Sequence, residues 1–237
     1  IVSLIFIVFS CLVQIKILAQ SPAKVIGLQC EHLVNPLGID APQPRLSWRI
    51  EDKRTAAIQT AYEISISTDS VSLKNEYAKV WKNEKINSAS QLITYSGNTL
   101  QPFTKYFWQV KVWDADKNES AWSTAAFWDM GLLQSEDWKA NWIQPVQDSA
   151  RHIPGLLVRK DFLVKKKIAT AKVYVTSHGL YELYFNGKKA GDEVLTPGWT
   201  AYQKRLQYQV YDVSNMLQQG NNAVGAMLGD GWYRGSL

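Results

Sequence analysis

Apolar side chains recur at every second position through most of this chain. In PRLSWRI, Leu46, Trp48 and Ile50 share one face, and in AYEISIS Tyr62, Ile64 and Ile66 do the same. KYFWQVKVW sets Tyr106, Trp108, Val110 and Val112 on one face, with Phe107, Gln109, Lys111 and Trp113 on the other. A period of two over five to nine residues predicts half-buried antiparallel strands, because successive side chains leave a strand on opposite sides. Polar turns such as SGNTLQP and DADKNES separate the runs, and no long helical periodicity intervenes. The expected class is all-β, with a first small sandwich from about Lys24 to Met130.

The alternation breaks over Gly131 to Gly155, where two Trp and two Pro among polar residues predict a connector packed against both neighbours. A second β run spans 156–237. Within it, Phe185-Asn186-Gly187-Lys188 is a hairpin signal, since Asn-Gly readily takes the positive φ angles of a type I′ turn. YQVYDVSNMLQQGNNAVGAML predicts two more strands around a short helical turn, after which the chain reads GDGWYRGSL. With no closing element there and no initiating Met, the second sandwich is expected to be incomplete and the chain a fragment.

The opening IVSLIFIVFSCLVQIKILAQ changes the picture of location. Its length and the small residue before Gln20 fit a secretory signal over 1–19, cleaved after Ala19, and so a periplasmic or extracellular protein. The weaker alternative is a lipoprotein acylated at Cys11, and Lys16 interrupts the run against a permanent membrane span. Cys30 is then the one cysteine left, a small buried hydrophobe in VIGLQCEHL, so the domains hold by packing alone. Across 237 residues the net charge is +5, with 46% hydrophobic residues, ten Trp and eleven Tyr, enough for two small cores with Trp to spare. The basic excess is dispersed, and Lys165-Lys166-Lys167 reads as a solvated turn.

Catalytic constellations are missing. His32, His152 and His178 are scattered, none beside a GxSxG nucleophile and none clustered for zinc. No Walker or dinucleotide glycine fingerprint occurs, and GDGWYRG follows a strand without opening a helix. Asp192, Glu193 and Asp230 lie in loop contexts, where solvated turn residues are the default reading. No residue is assigned a catalytic role.

Three stretches resemble one family. GLQCEHLVNPLGIDAPQPRLSWRI, YFWQVKVWDADKNESAWSTAAFWDMGLL and GLYELYFNGKKAGDEVLTPGWTAYQKRLQYQVYDVSNMLQQGNNAVGAMLGDGWYRG are similar to the amino-terminal region of bacterial α-L-rhamnosidases, inverting glycoside hydrolases with an (α/α)6-barrel catalytic domain. The resemblance implies a fibronectin type III-like β-sandwich over 24–130, then a truncated jelly-roll-like, carbohydrate-binding-like sandwich over 156–237. It also implies hydrolysis of terminal α-L-rhamnose from plant polysaccharides or glycosides by a pair of carboxyl groups. That pair belongs to the barrel, several hundred residues further on, so this chain alone is expected to be inactive, with rhamnose-containing glycans and its own barrel as partners.

One strip, PGWTAYQKRLQYQVYDV, keeps two readings open. Alternate residues, Tyr208 and Val210 against Gln209 and Tyr211, fit a strand packed in a core or between domains. Alternatively Trp232, Trp199 and Tyr202 stand at loop ends as platforms for a sugar ring, with Asp230 and Asn186 bonding hydroxyls. Asp192 and Asp230 are the candidate ligands should Ca²⁺ be held, though no cofactor is required. Nucleic acid is disfavoured, since only Lys204 and Arg205 offer adjacent cations. Two functions follow: the ancillary part of an exported rhamnosidase, or a stand-alone sugar-binding, adhesin-like pair of sandwiches.

Overall fold

The computed structural model describes residues 23–74, 80–144 and 155–234, so the expected signal, Cys11 and His152 lie outside the described residues. The protein is all-β. The first half carries β1 (Lys24–Cys30), β2 (Arg45–Glu51), β3 (Gln59–Ser67), the short helix α1 (Ser70–Lys74), β4 (Trp81–Lys82), β5 (Ile86–Asn87), β6 (Leu92–Thr94), β7 (Lys105–Asp114) and β8 (Ala126–Asp129). The second half carries β9 (Leu156–Val164), β10 (Lys172–Val175), β11 (Leu180–Phe185), β12 (Lys188–Lys189), β13 (Gln209–Asp212) and β14 (Gly220–Gly229). Single-turn 3-10 segments occur at Ser135–Asp137 and Ser214–Met216.

The first sandwich faces a sheet ordered β1-β2-β6 against one ordered β4-β3-β7-β8, with β5 also on β3. The apolar sets read from the alternation meet between the sheets: Leu46, Trp48, Ile64, Ile66, Trp108, Val110 and Val112 are buried. At the centre Trp128 is fully buried, stacked on Tyr106 at 5.3 Å and edge-on to Trp108 and Tyr95. The outer face of β7 is also closed. Gln109 donates to the carbonyl of Leu73 in α1, and the Trp113 ring is flanked by Lys85 and Lys111. A strand read as half-buried is thus covered on both sides, by a helix and lysine stems that period-two counting does not register.

In the second half, a sheet ordered β12-β11-β14-β9 faces the two-stranded β10-β13 sheet. Tyr181, Leu183, Phe185, Ala190, Tyr211 and Val213 are buried between them. Asn186 and Gly187 take φ of 50° and 80°, the left-handed pair of a type I′ turn joining β11 to β12.

The β10-β13 sheet is a wall with two used faces. Val173, Val175 and Tyr211 pack into the second core, whereas Lys172, Tyr174 and Val210 face the first sandwich. There Tyr174 meets Phe103 edge-on at 5.2 Å, and the Tyr208 hydroxyl accepts the Leu132 N–H at 2.9 Å. Glycine is required for so close an approach: a Cβ on Gly131 would lie 2.1 Å from the Tyr208 hydroxyl, and one on Gly38 2.6 Å from Val210. The strand part of the alternating strip, Tyr208 to Tyr211, is therefore packing on both sides, one set in a core and the other between domains.

Candidate functional site

One end of the second sandwich gathers aromatic rings from separate segments. The turn after β14 supplies Trp232 and Tyr233, the bend before β11 His178, the loop before β13 Trp199 and Tyr202, and the connector Trp138 and Trp142. This loop is tied to β11 by Thr196, whose carbonyl accepts the Tyr181 N–H and whose hydroxyl donates to the Tyr181 carbonyl at 2.7 Å. The Gln209 side-chain amide donates to the Pro197 carbonyl, fixing the same loop to β13.

The geometry produces a three-ring stack. His178 lies between Trp142 and Tyr233, each ring centroid 4.5 Å away and nearly parallel at 7° and 9°. Tyr202 meets both His178 and Tyr233 edge-on. Beside the stack a cleft of about 590 Å³ is lined by Trp199, Tyr202, Trp232 and Tyr233 with Thr200, Ala201 and Gln203. The rings expected as sugar platforms are thus brought together. Trp199 is 66% exposed and Trp232 43%, so both present open indole faces. The Tyr202 hydroxyl is buried without a hydrogen-bond partner among the described residues.

A larger groove of about 860 Å³ runs from the stack between the two sheets. Its floor is apolar, with Leu183, Val224, Ala226 and Leu228, and Trp138 and Trp142 stand on its connector side. Buried Tyr181 donates its hydroxyl to Gln209, and burial, then its contact with Tyr211, pushes that phenol well above its ordinary range. Among the described residues Asp230 is the one carboxylate on the groove lining, 3.7 Å from Arg234, and the smaller cleft has none. Aromatic faces beside hydroxyls, amides and one carboxylate suit binding.

Asn186 belongs elsewhere. It follows the far end of β11, about 20 Å from His178 at the usual rise per strand residue. Its amide donates to the Met216 carbonyl and to Asn222, and its oxygen accepts the Ala223 N–H. Those bonds explain its presence without any sugar. Asp192 is exposed on a different loop from Asp230, and among the described residues no three carboxylate, His or Cys groups gather to hold a metal. The stack of Trp142, His178 and Tyr233 was not legible from sequence. Its members stand 36 and 55 positions apart, and no local pattern joins them.

Comparison with known proteins places both halves. Residues 25–134 match the family model described as Rha78A-like, N-terminal immunoglobulin domain, and residues 166–237 match that of the alpha-L-rhamnosidase N-terminal domain. The chain is 36% identical to an alpha-L-rhamnosidase of Alteromonas sp. (strain LOR) over 217 residues, covering 87% of this chain and 24% of that protein. It is 35% identical over 217 residues to an alpha-L-rhamnosidase of Formosa agariphila, covering 87% and 23%. Among solved structures, the alpha-L-rhamnosidase from Dictyoglumus thermophilum superposes with a TM-score of 0.86 at 37% identity, over 91% of this chain and 26% of that one. The enzyme from Aspergillus terreus gives 0.76 at 32%, over 91% and 25%. The chain spans about a quarter of the length of these relatives.

Proposed function

We propose that this chain, whose two domains belong to the amino-terminal domain families of the α-L-rhamnosidases, is the non-catalytic amino-terminal portion of an exported enzyme that removes terminal α-L-rhamnose from rhamnose-containing glycans. One observation carries the reading: both halves match amino-terminal domain families of the α-L-rhamnosidases while the chain spans about a quarter of its relatives, and inverting hydrolysis needs an acid and a base on opposite sides of the bond. The carboxyl pair then resides in the part of the enzyme that the relatives carry beyond this region. The test is direct. The 237-residue chain and a full-length enzyme built on it are assayed with a chromogenic α-L-rhamnoside, and only the latter is expected to turn over. Turnover by the short chain that vanishes on mutating Asp230 overturns the proposal. Export belongs to the same reading and is checked by the amino-terminal sequence of the secreted protein, expected to begin at Gln20.

Within this role, the cleft of Trp199, Tyr202 and Trp232 supports a rhamnose platform: flat open indoles suit the apolar face of a 6-deoxy sugar. The competing role for the same rings is to seat the catalytic barrel. A stand-alone adhesin-like module would need neither barrel nor turnover, and the activity assay on the full-length protein separates it.

A further inference from the structure

The boundary between the two halves carries charge as well as rings. Lys105 on β7 stands opposite Asp129 on β8, and Lys172 on β10 stands opposite Asp212 on β13. The two cross-strand pairs belong to different domains and meet. The Lys172 ammonium reaches both carboxylate oxygens of Asp129, at 2.5 and 2.6 Å. Asp129 is fully buried, and the Lys172 side chain is 18% exposed. Asp212 accepts hydrogen bonds from Ser214 and lies in the field of Lys105 and Lys172, and these together hold its carboxyl below the ordinary range. The Lys172–Asp129 ion pair thus joins the two domains, with Lys105 and Asp212 at the neighbouring cross-strand positions.

The sheet carrying Lys172 needs outside support. β10 and β13 pair over four residues each and bond to no third strand among the described residues. A two-stranded ribbon of that length is marginal by itself. Its inner face rests on the second core, and its outer face rests on the first sandwich through Lys172, Tyr174, Tyr208 and Val210. We propose that the Lys172–Asp129 ion pair is an interdomain latch, and that the first sandwich acts through it as a bracket holding the β10-β13 sheet in place as one wall of the groove. Apolar packing supplies adhesion there. The charges supply register, because sliding by one residue turns Lys172 away from Asp129.

Hydrogen–deuterium exchange on the intact protein tests this. Lys172→Met leaves the Asp129 carboxylate buried beside no partner from the second domain. Amides of 172–175, 209–212 and Leu132 are expected to exchange roughly a hundredfold faster, the scale of a broken buried pair. Amides of β3 and β11 should hold their rates. Pairing Lys172→Met with Asp129→Asn should recover a large part of that loss, so the two effects are not additive. Equal acceleration everywhere, or none at the boundary, overturns the proposal. Should Lys172→Met fail to fold, Tyr208→Phe decides: it removes only the hydroxyl that accepts from Leu132 and should loosen the same segments more mildly. Unchanged exchange in those segments for Tyr208→Phe likewise overturns it.

Discussion

At the scale of single residues, Trp232 is the sharpest test of the aromatic cleft. If it is a sugar platform, Trp232→Ala in the full-length enzyme lowers affinity for L-rhamnose by about 1–3 kcal/mol, in the range of ring stacking on aromatics, and leaves the melting temperature nearly unchanged. If it seats the barrel, the same change lowers stability by about 3–5 kcal/mol while sugar binding by the folded fraction is kept. Calorimetry and a thermal melt on one variant distinguish the two. A second residue controls behaviour in acid. Arg54 is bidentate to Asp52 and also pairs with Asp114 at 2.8 Å. Its hydrogen bonds lower Asp52 to about 2, and Asp114, although burial pushes it up, is drawn below its ordinary value by Arg54 and Asn118. Carboxyls depressed in the fold stabilise it above their unfolded value near 3.8, and that contribution fades as pH falls toward about 2. Arg54→Met is therefore expected to melt lower at neutral pH and to show a shallower acid decline over that window. A parallel offset across all pH values would contradict this. The rings that now form the cleft were legible because glycine-flanked tryptophans at loop ends stand out in a sequence. Trp142 and His178 were not, since each looks unremarkable until the chain is folded.

Among elements, the β11–β12 hairpin shows why local rules succeed. Asn-Gly fixes its own turn with positive φ, needing nothing distant. The interior of β14 depends on a longer circuit. Asn222, 4% exposed, accepts from Asn186 and from the Gln218 N–H, and donates to the carbonyls of Gln218 and Gly220. Asn222→Ala would orphan these groups at a cost of about 1–3 kcal/mol, whereas exposed Asn221→Ala should change stability by about 0.5 kcal/mol or less. Equal melting temperatures for the two variants would refute the assignment. The strands of the first sandwich were readable because one polar face alternates with one apolar face. The closure of β7 on both sides was not, because α1 and the lysines reach it from elsewhere in the chain. The sides of β13 were readable as sides, but what each side faces depends on a second domain that strand periodicity cannot see.

At the scale of the whole molecule, the two sandwiches differ in how completely they enclose their cores. The first seals Trp108 and Trp128 entirely, while the second leaves a groove of about 860 Å³ between its sheets. Exposed large apolar side chains occur in both halves, with Leu33, Val34, Ile58 and Phe103 on the first and Leu157, Leu163, Trp199 and Trp232 on the second. The connector is held at both ends of its described part, by Leu133 on the first core and by Trp142 on His178. That last stack has an optical consequence. An indole lying flat on an imidazole loses emission to it. Trp142 emission is therefore expected to be weak in this arrangement, and a Trp142→Phe difference spectrum checks it. The fold thus carries its own light signal, although nine other tryptophans must first be subtracted to see it.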